Sequence, residues 1–342
     1  MAGSETGLWA LCLAVGLLPV LTFLVVLVVL DSYKLIRLHT VGWVLAAGGA
    51  TALICLVLNT RLPLLLELEF TPYSRYVAPV LEELIKGSVI AFAVWRRRIG
   101  FLVDAAIWGF AVGAGFSAIE NVQYIRILAE PEIAIWIVRG FGTAIMHGSV
   151  TAISAVAFLL LSERFDSVLP HLFLPGWLLA SALHSFFNHF LLSPSVSTAL
   201  LVIGMPLVFA AVFELGERAT HAWLGASFDG DQDLLQAILE GRLGGTRVGS
   251  YLQELKGRFS KAEVVDMVCL IRLRAELSIR AKGLLMMRKA GFSPPQDPSI
   301  PGRFQELKHL ERSIGRTGLL ALAPLFSMSH RELWQMNMLR KN

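Results

Sequence analysis

The feature that most restricts how this chain can fold is a series of long apolar stretches almost free of charge. Seven of them fall at roughly 8–30, 41–60, 79–95, 101–125, 136–161, 172–192 and 196–215, each near the ~20 apolar residues that cross a hydrocarbon core. Backbone polar groups in lipid must be satisfied within the segment, so these stretches are expected to be helices. None shows the alternation of apolar and polar residues that a membrane barrel strand requires. The first is no cleavable signal peptide, because Glu5 is the only charge before it and its apolar run is too long. Only 16% of the 342 residues are charged, against about 25% in ordinary soluble domains, which excludes a single water-soluble globule. Three cysteines, Cys12, Cys55 and Cys269, exclude a secreted disulfide scaffold.

Charge divides the chain. Residues 1–215 hold 11 Lys+Arg and 13 Asp+Glu, a net −2, whereas residues 216–342 hold 19 and 13, a net +6. The expected organisation is all-α, with a seven-helix membrane domain at 1–215 and a basic, helical, cytoplasmic domain at 216–342. Lys34 and Arg37 follow the first span and Arg96, Arg97 and Arg98 follow the third. With the basic tail they place the N-terminus outside and the C-terminus in the cytoplasm. Arg61, Arg75, Arg126 and Arg139 then fall outside. Trp9, Trp43, Trp95, Trp136 and Trp177 are expected at the interfaces, and Gly109, Gly113 and Gly115 to serve close helix packing.

An ionisable residue inside a span is costly and therefore marks a candidate site. The third span opens Pro79-Val80-Leu81-Glu82-Glu83-Leu84-Ile85-Lys86, and the fourth contains Phe116-Ser117-Ala118-Ile119-Glu120-Asn121. The fifth contains His147, and the sixth His184-Ser185-Phe186-Phe187-Asn188-His189. At 1.5 Å per residue, the expected topology brings Glu82, Glu83, Glu120, His147 and His184 to a similar depth in the outer half of the membrane. Structural explanations exist for each. Pro79 suits the first turn of a helix, and Glu82 and Lys86 are spaced as an i,i+4 ion pair. Glu120-Asn121 can be an interhelical clasp, and a single membrane histidine a packing residue. Asp104 is expected to pair with the Arg96–Arg98 triplet, and His189 to face away from the site.

Carboxylates, imidazoles and an amide at one depth are the groups that activate water against a carbonyl. A carboxylate can take the proton of water as general base, and an asparagine can donate to an oxyanion. Glu and His also ligate Zn²⁺, with a coordination position left for water. No serine or cysteine beside a base, and no pair of mid-span aspartates, offers an alternative. The expected chemistry is hydrolysis by activated water, metal-assisted or carboxylate-driven.

These motifs together, over roughly 75–215, resemble the PrsW family of intramembrane proteases, within the larger group that includes the CAAX-prenyl endopeptidases. Its pattern is E-E-x-x-K, F-x-x-x-E-N, a lone membrane His and H-x-x-x-N, and all four occur here in order. The resemblance implies a peptidase in which Glu82 activates water and Glu83 supports it. Glu120, His147 and His184 would position water or a metal, with Zn²⁺ possible. Asn188 would stabilise the oxyanion, while Lys86 and Asn121 support. The implied partners are the lipid bilayer and a membrane-embedded, single-span protein or peptide cut near its outer half. Two rival readings are a non-catalytic membrane scaffold, against which the three glutamates argue, and a small proton-coupled transporter, against which the absence of an internal repeat argues.

In the tail, Ser260-Lys261-Ala262-Glu263 reads as a capping box opening a helix to about Ala290. Ser329-His330-Arg331-Glu332 repeats the signal, and Phe292–Pro298 is a linker. No nucleic-acid motif accompanies the positive charge, so no nucleic-acid partner is expected.

Overall fold

The computed structural model describes residues 2–128, 130–293, 295, 297–326 and 329–341, and among them there is no strand. The long helices are α1 (Ala2–Leu30), α2 (Leu38–Leu65), α3 (Ala78–Trp95), α4 (Leu102–Ile127), α5 (Ile145–Arg164), α6 (Leu174–Asn188) and α7 (Pro194–Leu239). They are followed by α8 (Arg247–Leu255), α9 (Lys261–Lys289), α10 (Ile300–Leu322) and α11 (His330–Lys341). The chain divides into two units, Met1–Glu217 and Arg218–Asn342.

Five helical runs among the described residues are long and apolar enough to cross a membrane: Gly7–Leu30, Leu38–Leu65, Leu102–Ile127, Ile133–Arg164 and Pro194–Leu239. The other two expected spans also form helices, but α3 has 18 residues and carries Glu82, Glu83 and Lys86, and α6 has 15. The last run overshoots its expected end at 215. It continues to Leu239, passing through Pro206.

The centre of the first unit is α4, buried without a break from Leu102 to Ser117 and packed against α1, α2, α3 and α5. Two glycines make that closeness possible. A methyl group on Gly113 would stand 2.2 Å from the carbonyl oxygen of His147, and one on Gly115 would stand 2.0 Å from that of Leu45. Two departures from α-helical winding precede functional segments. Tyr73–Val77 and Val138–Ala144 are π-helical and lead directly into α3 and α5, a geometry often found at functional sites.

Some interfacial expectations fail. Trp43 and Trp95 are exposed, but Trp136 is 0% exposed and meets Trp9 edge-on at 6.4 Å. Its large apolar ring is used as core. Asp104 is buried and accepts the Gly100 backbone N–H at 3.2 Å, so its bond goes to the backbone before α4 and not to an arginine.

In the second unit, Ser260 and Glu263 form the expected capping box at the start of α9. Ser329 Oγ accepts the Glu332 N–H at 3.3 Å before α11. Leu270, Ile271 and Leu277 of α9 form a core with Leu310 and Ile314 of α10 and Leu339 of α11. Within the linker after α9, Pro294 and Gln296 lie outside the described residues.

Candidate active site

The polar residues of four helices meet in one cluster. On α3 the buried positions are Pro79, Glu83, Lys86, Gly87, Ile90 and Val94, spaced along one helical face. Glu83 and Lys86 therefore lie inside the buried stripe of α3, and Glu82 lies at its edge. The ion pair follows this geometry. Lys86 Nζ donates to Glu83 Oε1 at 2.5 Å, with Glu83 2% and Lys86 0% exposed. The i,i+4 partner expected for Lys86, Glu82, is thus replaced by the i,i+3 neighbour.

Glu83 is saturated. Beyond Lys86, its Oε1 accepts from His184 Nδ1 at 2.9 Å and its Oε2 from Thr151 Oγ1 at 3.2 Å. Burying a carboxylate is costly unless it is paired and hydrogen-bonded, and three donors meet that requirement. Glu82 has a different environment. Its Oε1 accepts from Asn59 Nδ2 at 2.8 Å, its Oε2 faces His184 Nε2 at 3.9 Å, and 12% of the side chain stays exposed.

His147 links the remaining groups. Its Nδ1 lies 3.0 Å from Lys86 Nζ and its Nε2 3.1 Å from Glu120 Oε2. An ammonium has only hydrogens to offer, so Nδ1 is the accepting nitrogen and Nε2 the one that donates to Glu120. The rings of His147 and His184 stand edge to face, 4.7 Å apart. Glu120 is 26% exposed and lies 3.5 Å from Arg139 Nη2. Arg139 also donates from Nε to Asn121 Oδ1 at 2.8 Å, and Asn121 Nδ2 donates to the Gly16 carbonyl on α1 at 2.8 Å.

Five expected residues, Glu82, Glu83, Glu120, His147 and His184, are thus brought together, with Lys86 among them. Asn121 is one step removed and orients Arg139. Asn188 is not in the cluster: its Nδ2 donates to the Ser74 carbonyl at 3.0 Å. Four contributors escape a search limited to ionisable residues in spans. Asn59, Tyr73 and Thr151 carry no charge at neutral pH, and Arg139 looks like a loop residue. Its position inside the fifth apolar stretch was the available signal. Arg139 is 7% exposed and stacks 3.4 Å over the Tyr124 ring, so it is packed into the protein and is no free loop residue.

Donor atoms of Glu82, His147 and His184 lie within 4.8 Å of one another and form a group able to hold a metal ion. Two imidazoles and one carboxylate match a known catalytic Zn²⁺ ligand set, although His147 would have to give up its bond to Lys86 or to Glu120 to serve as a ligand. His184 is the best prepared, because Glu83 behind Nδ1 fixes its tautomer and leaves Nε2 for a ligand. The group contains Glu82, where the motif resemblance implied Glu120.

A multi-pass helical protein with buried carboxylates and imidazoles gathered around partly exposed glutamates is of the intramembrane hydrolase class. The chain belongs to the PrsW family: the model of the PrsW family intramembrane metalloprotease matches residues 37–213, just over half its length. Comparison with curated proteins and with solved structures gives no match. The protein is therefore an integral membrane protease acting on membrane-embedded substrates.

Proposed function

We propose that Glu82 is the general base of this protease and that Glu83 is its organiser. The observation that carries the assignment is their unequal surroundings. Glu83 has its charge matched by Lys86 and both oxygens occupied, whereas Glu82 keeps one oxygen without a close donor and some exposure. A base needs a free lone pair near the water it deprotonates. Glu82 Oε2 takes that proton, and His184 Nε2, held by Glu83, orients the water beside it. Glu120 and His147 set the other wall, with Arg139 balancing the charge of Glu120.

A divalent cation held by Glu82, His147 and His184 would polarise the scissile carbonyl and make bound water more acidic. Glu82 would then serve as a ligand, and Glu120 would be the partly exposed carboxylate able to accept a proton. Asn188 enters this reading as a residue that positions the turn before α3, since its amide is spent on Ser74.

The finer assignments rest on sequence. Seven spans, with the N-terminus outside and the second unit in the cytoplasm, follow from Lys34, Arg37, the Arg96–Arg98 triplet and the basic tail. A single-span substrate cut near its outer half is supported by the depth of the glutamates together with the family resemblance. The likeness of the motif set to that of the CAAX-prenyl endopeptidases supports reading the family as part of that larger group.

The test is cleavage of a single-span membrane protein in cells carrying Glu82→Ala, Glu83→Ala or His184→Ala. Each is expected to lower cleavage at least ~100-fold, the low end of general-base contributions. Unimpaired cleavage by all three would overturn the mechanism.

A further inference from the structure

Two side chains outside the four motifs form a hydrogen-bonded chain that ends on Glu82. Asn59 of α2 donates from Nδ2 to Glu82 Oε1 at 2.8 Å, and the Tyr73 hydroxyl lies 2.8 Å from Asn59 Oδ1. Chemistry fixes the direction of this chain. An ionised carboxylate only accepts, so the amide nitrogen must face Glu82. That turns the amide oxygen toward Tyr73, and because the oxygen only accepts, the phenol must donate. The tyrosine is buried, which keeps water from competing for the bond.

The turn carrying Tyr73 is itself fastened. Ser185 Oγ donates to the Arg75 carbonyl at 2.6 Å, and Asn188 Nδ2 to the Ser74 carbonyl at 3.0 Å. The two ends of the His184–Asn188 segment thus act on the two glutamates by different routes. His184 bonds Glu83 directly, and Asn188 fixes the turn from which Tyr73 reaches toward Glu82.

We propose that Asn59, oriented by Tyr73, is the positioning residue that gives Glu82 its role. The proposal rests on the reading of Glu82 as the base. Asn59 fastens Oε1, so that Oε2 is the oxygen presented toward His184 Nε2. Being neutral, the amide orients the carboxylate without matching its charge, as Lys86 does for Glu83. Through Asn59, the largely apolar α2 contributes a polar group to the site.

The experiment compares full-length variants in proteoliposomes, with kcat and KM measured on one single-span substrate and Tm measured alongside. Asn59→Leu is expected to lower kcat about tenfold or more, the loss typical of outer-shell partners, with KM unchanged. Tyr73→Phe removes one oxygen atom and should lower kcat several-fold. The Asn59→Leu/Tyr73→Phe double variant should be no slower than Asn59→Leu alone, because one relay is broken once. Wild-type kcat in Asn59→Leu, or additive losses in the double variant, would overturn the relay while leaving Glu82 as the base. If Asn59→Leu fails to fold, Tyr73→Phe decides: unchanged kcat overturns the proposal. Continued cleavage by Glu82→Gln is a separate result that removes the base and this inference with it.

Discussion

Lys86 forms its ion pair with Glu83, three residues away, and leaves Glu82, four residues away, to Asn59. Both spacings put a carboxylate near an ammonium on a helix, so the choice comes from the neighbours. Thr151 and His184 lie on the Glu83 side and complete its hydrogen bonds. The pair of adjacent glutamates becomes one neutralised carboxylate and one that keeps a free oxygen.

Removing Lys86 should destabilise the protein more than any exposed substitution does. Lys86→Met leaves the Glu83 charge buried and unpaired, which costs about 3–5 kcal/mol. In Lys86→Met/Glu83→Gln both charges are gone, and much of that loss should return. Thermal unfolding of the purified protein in detergent checks this, and an equal or greater loss in the double variant would contradict the pairing.

Gly113→Ala should strain the α4–α5 contact, because its methyl would stand 2.2 Å from the His147 carbonyl oxygen. Overpacking of this kind costs about 1–3 kcal/mol. It should also lower cleavage, since His147 must move relative to Glu120. Gly204→Ala, with nothing within 4 Å of the added methyl, is the control and should be neutral or stabilising.

Arg139→Lys should behave like a loss and not like a conservative change. Arg139 bonds Asn121 through Nε and faces Glu120 through Nη2, while its plane lies over Tyr124. A single ammonium cannot reproduce this fork and stacking. Cleavage should fall about 10–100-fold, as for lost outer-shell partners, and wild-type rates in Arg139→Lys would show that only the charge matters.

If a divalent metal is bound, its amount per chain, measured on purified protein, should fall in Glu82→Gln, His147→Ala and His184→Ala; protein that cleaves substrate without bound metal leaves Glu82 as the base. The metal should persist in Glu120→Gln, because Glu120 stands outside the group whose donors converge. Equal loss in Glu120→Gln would return that residue to the ligand set.

Acid should loosen the start of α9. The Glu263 carboxyl is held below the usual range, first by the Ser260 backbone N–H. A depressed folded-state pKa contributes stability above the unfolded value, about 4.3, and that contribution is lost as pH falls through the folded value. Hydrogen-exchange protection over residues 260–266 should therefore drop as pH falls below about 4, and Glu263→Gln should flatten the dependence. Ser260→Ala should lower protection at neutral pH by about 1 kcal/mol, the usual worth of an N-cap.

Much of the fold and most of the site were legible because the membrane makes charge expensive. Glu82, Glu83, Glu120, His147 and His184 stood out against apolar spans, and they do converge. Asn59, Tyr73 and Thr151 did not, because uncharged polar residues cost less and are scattered through many spans for ordinary reasons. Arg139 was overlooked as a site residue because a lone arginine near a span end normally lies at the interface. It is buried here because Glu120, Asn121 and Tyr124 receive it. Likewise Trp136 sits in the core against Trp9, where belt statistics put tryptophan at the surface.

The sequence by itself determined that the chain is helical and membrane-embedded, because a helix satisfies its polar groups within one segment in lipid and the apolar stretches lack the alternation of a barrel strand. It also determined which residue types carry the chemistry. Only the tertiary structure decided how the work is divided among them. Which glutamate Lys86 neutralises, which imidazole nitrogen stays free and which amide orients Glu82 are all set by hydrogen-bond distances between helices. Residues up to 114 positions apart in the chain, such as Ser74 and Asn188, meet at those distances, and one-dimensional spacing does not encode them.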